Sequence, residues 1–126
     1  MSSPASSAHR VLVIDDDRKL GRLIREYLEP MGYAVTLAVT GPEGLETART
    51  EKFDAILLDV MLPGLDGFEV LKELRKTTPG LKFIFISGHT DDAFKRTLDE
   101  NEAYAFLPKP FTLPQLAAKV KEQLSE

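Results

Sequence analysis

The chain contains no cysteine. A disulfide framework, a thiolate metal site and a cysteine nucleophile are therefore excluded, and with them the small secreted scaffolds that depend on disulfides; a reducing compartment is compatible. A basic excess is also missing, because 16 Lys and Arg stand against 20 Asp and Glu for a formal net charge of −4. Binding nucleic acid through a basic surface needs clustered cations that displace counterions, so a direct nucleic-acid role is not expected. No apolar run approaches the roughly 20 residues of a membrane-spanning helix. Met1 to Ala8 has neither a basic n-region nor an apolar h-region and does not read as a signal peptide. Residues 1–9 are expected to be a short disordered tail ahead of one domain over 10–126, and the protein is expected to be soluble and cytoplasmic.

What is present is a length of 126 residues with 43% hydrophobic and 29% charged composition. That suffices for one ordinary core, burying roughly two thirds of the unfolded surface. Strand-sized apolar runs recur at Val11–Ile14, Ala55–Leu58 and Phe83–Ile86, with weaker ones at Tyr33–Val39 and Tyr104–Leu107. Their lack of polar interruption suits strands covered on both faces. Amphipathic stretches lie between them. Leu20, Leu23, Ile24, Tyr27 and Leu28 repeat at helical spacing, and Pro30 with Gly32 ends that segment, which predicts a helix near 18–29.

Gly41-Pro42-Glu43 opens a second helix, Phe68, Leu71 and Leu74 or Arg75 line a third after Asp66-Gly67, and Thr90 or Asp91 opens a fourth. In the last, Thr112 and Gln115 have capping-box spacing, and Leu116, Val120 and Leu124 are expected to form the buried stripe. Five strand–helix pairs without an internal repeat predict an α/β fold: one doubly wound, five-stranded parallel sheet, order 2-1-3-4-5, of flavodoxin-like (βα)5 type. Such sheets bind ligands beyond their strand C-termini, near the switch point between strands 1 and 3.

At those ends the sequence places Asp15, Asp16 and Asp17 after the first run and Asp59 at the close of the third. Taken alone, the first three would be a solvated loop with a helix N-cap. Together with Asp59 they form a crowded set of carboxylates that needs a hard divalent cation, and oxygen-only ligation suits Mg²⁺ better than Zn²⁺. Neither His9 nor His89 lies beside them in sequence. Ser87 ends the fourth run and Lys109 follows the fifth. Singly, each would be a loop hydroxyl or a snorkelling surface lysine. At matching strand ends they could hold the oxygens of a phosphoryl group while Asp59 attacks phosphorus in line.

Val11-Leu12-Val13-Ile14-Asp15-Asp16-Asp17, Leu57-Leu58-Asp59-Val60-Met61-Leu62-Pro63-Gly64-Leu65-Asp66-Gly67, Ile86-Ser87-Gly88 and Leu107-Pro108-Lys109-Pro110-Phe111 together resemble the receiver domain of two-component response regulators. The resemblance spans about residues 10–125. It implies that Asp59 accepts a phosphoryl group from a histidine kinase or histidine phosphotransfer protein. It further implies that Asp16 and Asp59 bind Mg²⁺ directly, that Asp15 acts largely through water, and that the Met61 backbone carbonyl is another ligand. Ser87 and Lys109 would hold phosphoryl oxygens, the Lys109–Pro110 peptide would be cis, and Ser87 and Phe106 would form the switch.

Two positions depart from the commonest pattern, Ser87 where Thr is usual and Phe106 where Tyr is usual. Without a hydroxyl, Phe106 can signal only by packing and exposed surface; the plain alternative is strand core. Glu102–Ala105 lacks the glycine often found before the fifth strand. Around Ser87 to Asp92 the chain is more similar to receivers attached to hybrid sensor kinases than to those fused to DNA-binding domains. No output module is expected after the fifth helix, and the expected readout is a downstream protein bound at the face of the fourth helix, fifth strand and fifth helix. The expected chemistry is limited to the domain's own phosphorylation and dephosphorylation.

Three other readings compete. A flavin or nucleotide binder would offer Ser, Thr or Gly donors where Asp15–Asp17 repel phosphate. A small-molecule phosphohydrolase would share the aspartyl-phosphate chemistry but needs a cap or substrate domain. A phosphorylation-independent scaffold would not need the full set of groups.

Overall fold

The apolar runs become five parallel strands: β1 Arg10–Ile14, β2 Ala34–Ala38, β3 Ala55–Asp59, β4 Lys82–Ser87 and β5 Ala105–Pro108. Their order in the sheet is β2-β1-β3-β4-β5, as the flavodoxin-like reading requires. This computed structural model describes residues 9–59, 67–87 and 105–124. The fourth helix expected from Thr90 or Asp91 and the Glu102–Tyr104 stretch lie outside the described residues, as does the tail before His9.

Alternate residues of each strand point to opposite faces of the sheet. Leu12, Ile14, Ile56, Leu58, Phe83 and Phe85 build one core with Val70, Leu71 and Leu74 of α3 (Gly67–Thr77). Leu45 and Ala48 of α2 (Gly41–Thr50) pack against the same core. Val11, Val13, Leu57, Ile84 and Ile86 build the other core, covered by Ile24 and Leu28 of α1 (Arg18–Leu28) and by Leu116, Ala117 and Val120 of the C-terminal helix, Leu113–Leu124. Coverage on both faces explains why β1 and β3 read as unbroken apolar runs.

The helix ends follow local chemistry. Asp17 caps α1 by accepting from Leu20 N, and Thr40 caps α2 by accepting from Glu43 N. Thr112 Oγ1 accepts from Gln115 N, and Thr112 N donates to Gln115 Oε1, so the predicted capping box is formed. After α1, a 3-10 turn over Glu29–Met31 leads to Gly32 at φ 101°, a left-handed conformation that suits glycine.

Two apolar expectations are corrected. Leu23 is 42% exposed, while Gly21 takes a place beside Ile24 and Leu28 on the buried face of α1. The core stripe is therefore rotated away from Leu23, since a five-residue apolar set spans more of the helix circumference than one sheet face can cover. Leu124 is only partly buried, at the end of its helix.

On the edge remote from the strand C-termini, Arg10 ties β1 to the segment before β3. Its guanidinium donates to Lys52 O at 2.9 Å and Glu51 Oε1 at 2.5 Å, and its backbone N donates to Asp54 Oδ2 at 2.7 Å. The same guanidinium stacks 4.7 Å from the centre of the Phe53 ring.

Candidate functional site

Register brings the acidic residues to one level. Ile14 pairs with Leu58, so Asp15 and Asp59 leave adjacent strands side by side, while Ser87 pairs with Pro108, one residue before Lys109. Carboxylate oxygens of Asp15, Asp16 and Asp59 lie within 4.8 Å of one another. Lys109 Nζ sits 3.5 Å from Asp15 Oδ2 and 3.5 Å from Asp59 Oδ2. The Lys109–Pro110 peptide is cis.

Asp15 and Asp59 are buried, at 3% and 5% exposure, whereas Asp16 is exposed. Asp15 N donates to Ala38 O at 3.1 Å and Asp15 Oδ1 accepts from Asp17 N at 2.9 Å. Among the described residues, Asp15 Oδ2 is enclosed without a hydrogen bond and has the ammonium of Lys109 at ion-pair distance. Burial pushes the Asp15 carboxyl above its ordinary pKa, and the Asp59 charge adds to this, against the Asp17 N–H and Lys109. For Lys109, burial alone would favour the neutral amine, but Asp15 and Asp59 outweigh it and raise the pKa.

Among the described residues, one ammonium set against three carboxylates leaves the pocket short of positive charge. The donor set is all oxygen, and the buried Asp15 Oδ2 makes no hydrogen bond among the described residues, so these residues fit a small hard divalent cation. Asp17 is not one of the converging carboxylates; its side chain is used as the α1 cap. His9 precedes β1 at the opposite edge, with its ring 6.4 Å from that of Tyr33. Ser87 closes β4, but its side chain, like Met61 and His89, lies outside the described residues. Phe106 is half-buried in β5 and packs against the core formed with α2 and α3.

A cap and a close approach escaped the sequence reading. Thr40 Oγ1 accepts from Glu43 N while Glu43 Oε1 accepts from Val39 N, and both residues edge the strand C-termini. The Thr40-x-x-Glu43 spacing was a usable signal for that cap. Gly44 is buried directly against Ile14, a contact between residues that no local pattern connects.

The acidic, lysine-containing pocket lies at the β1/β3 switch point, where doubly wound sheets bind their ligands. The chain matches the response regulator receiver domain over residues 11–121 and belongs to that family. It is 42% identical over 123 residues to sensor kinase CckA of Brucella abortus (strain 2308), covering 96% of this chain and 13% of that protein. It is 37% identical over 115 residues to response regulator MprA of Mycolicibacterium vanbaalenii, covering 91% of this chain and 50% of that protein.

Among solved structures, the receiver domain protein (CheY-like) from Methanospirillum hungatei JF-1 is similar with a TM-score of 0.81 and 33% identity, over 93% of this chain and 94% of that one. The chain thus spans half or less of these two curated relatives. Receiver domains are signalling switches rather than conventional enzymes, and phosphorylation and Mg²⁺ binding are general properties of the family. Among the described residues no helix is long and apolar enough to cross a membrane.

Proposed function

We propose that Asp59 accepts a phosphoryl group from the phosphohistidine of a histidine kinase or histidine phosphotransfer protein in the cytoplasm. The observation that carries this reading is Lys109 Nζ placed 3.5 Å from both Asp15 and Asp59 among converging carboxylates at the sheet's C-terminal edge. An Asp59 carboxylate oxygen attacks phosphorus as the P–N bond breaks, and the electron pair leaves on the histidine nitrogen. Lys109 follows the transferred oxygens with a positive charge. Asp15, Asp16 and Asp59, with the Met61 carbonyl, would hold Mg²⁺, which when bound supplies positive charge for both carboxylates and phosphoryl oxygens. Attack by water at phosphorus later returns the carboxylate and releases inorganic phosphate. A shallow depression of about 410 Å³ lined by Asp17, Leu20, Lys109, Pro110 and Phe111 flanks the pocket and gives a protein donor room to approach.

Intact mass after incubation with acetyl phosphate tests the reading: one phosphoryl group should be added with Mg²⁺ and far less without it. Labelling independent of Mg²⁺ would overturn the cation assignment, and no labelling would favour a phosphorylation-independent scaffold. Asp16→Ala should weaken Mg²⁺ by about tenfold or more in calorimetric titration, since it removes a charged ligand. An unchanged affinity would remove Asp16 from the ligand shell.

Phosphorylation replaces the single carboxylate charge of Asp59 with a phosphate carrying about −1.5 to −2, attracting Lys109 and the Ser87 hydroxyl and favouring one packing of Phe106. The readout is then a protein contact at the face of the fourth helix, β5 and the C-terminal helix. Phe106→Ala should leave labelling by acetyl phosphate largely intact while reducing phosphorylation-dependent partner binding severalfold, measured by calorimetry with and without acetyl phosphate. Lost labelling with normal partner discrimination would make Phe106 a packing residue only.

A further inference from the structure

Asp17 lies outside the group of converging carboxylates, yet three of its atoms organise the loop that delivers Asp15. Its Oδ1 accepts from Leu20 N at 3.0 Å, its carbonyl accepts from Gly21 N at 3.0 Å, and its N–H donates to Asp15 Oδ1 at 2.9 Å. The side chain and carbonyl anchor Asp17 on the first turn of α1, in an extended conformation at φ −81° and ψ 95°. That conformation directs its N–H back at Asp15. With Oδ1 held and the Asp15 backbone N–H fixed on Ala38 O, the other oxygen of Asp15 is the one left facing Lys109 at 3.5 Å, with no hydrogen bond among the described residues.

We propose that Asp17 is a positioning residue of the cation pocket, acting through its helix cap and backbone N–H rather than through its charge. The proposal rests on the cation reading of that pocket. Fixing the rotamer of a buried ligand ahead of binding removes an ordering cost that would otherwise weaken the site. A side-chain cap and a carboxylate clamp on one residue also link the start of α1 to the orientation of Asp15.

The two routes by which Asp17 could act are separable, because Asp17→Asn removes the charge and keeps a cap acceptor, while Asp17→Ala removes both. Magnesium affinity by calorimetry and exchange of the residue-17 amide in metal-free protein are the readouts, with Val120→Ala as a core variant destabilised away from the pocket. Asp17→Ala should weaken Mg²⁺ by about tenfold and speed exchange of that amide. Asp17→Asn should recover affinity to within about twofold of wild type, the remainder being screened charge. Val120→Ala should leave both readouts near wild type. The proposal is overturned if Asp17→Ala binds as wild type, if Asp17→Asn is as weak as Asp17→Ala, or if affinity falls while the amide stays protected. A wild-type protein that does not bind Mg²⁺ would instead refute the cation reading itself, and the proposal with it.

Discussion

Asp59→Asn should abolish phosphorylation, lowering the rate of mass gain from acetyl phosphate by at least ~10³-fold, the scale on which loss of a nucleophile is felt. Asp59 closes a strand whose residues are all buried, and its backbone pairs with Ile86 of β4. An amide of the same shape preserves that strand end. It carries no anionic oxygen to attack phosphorus, and it leaves Lys109 with Asp15 as its remaining ion-pair partner among those two. Stability should not fall, because one of several mutually repelling carboxylates has been neutralised; thermal melting of the metal-free variant checks this. Labelling at the wild-type rate in a folded Asp59→Asn protein would place the acceptor elsewhere.

The central strands were legible because they are buried on both sides. Val11 to Ile14 and Ala55 to Leu58 are at most 1% exposed, so their apolar runs are a direct imprint of two covering layers. Asp15, Asp59 and Lys109 were legible for a related reason. In a doubly wound sheet the residue after each apolar run arrives at a common edge, so residue order alone brings distant positions together.

What escaped depends on helix phase and on pairs of elements. The spacing of Leu20, Leu23, Ile24, Tyr27 and Leu28 announces a helix but leaves its rotation free. Leu23 is therefore exposed while Gly21 is buried, where an added methyl group would lie 3.5 Å from Leu37. Arg10 has no local signal for its role, because its partners Glu51, Lys52 and Asp54 come from a loop some forty residues on. Asp17 was counted with its acidic neighbours, but its backbone N–H is what holds Asp15.

Gly44→Ala should destabilise the domain by about 1–3 kcal/mol, the usual scale of overpacking, and urea unfolding will measure it. A methyl group at Gly44 would fall 2.5 Å from Cδ1, 2.6 Å from Cγ1 and 2.8 Å from Cγ2 of Ile14. Ile14 is 1% exposed and belongs to the core that α2 covers, so its side chain has little room to withdraw. Alanine's better helix propensity returns up to ~1 kcal/mol, which offsets only part of the clash. Gly21→Ala provides the contrast: its methyl would meet Leu37 at 3.5 Å, an ordinary contact, so the same propensity gain should emerge as neutral or increased stability. Ile14→Ala alone should cost about 2–5 kcal/mol through the cavity it leaves. Because it deletes all three clashing atoms, the double variant with Gly44→Ala should be less destabilised than the two single losses added together. Ile14 immediately precedes Asp15, so Gly44→Ala should also weaken Mg²⁺ more than a core variant of equal stability loss such as Val120→Ala. A Gly44→Ala protein as stable as wild type, or a double variant whose losses simply add, would show that α2 does not depend on glycine to seat against β1.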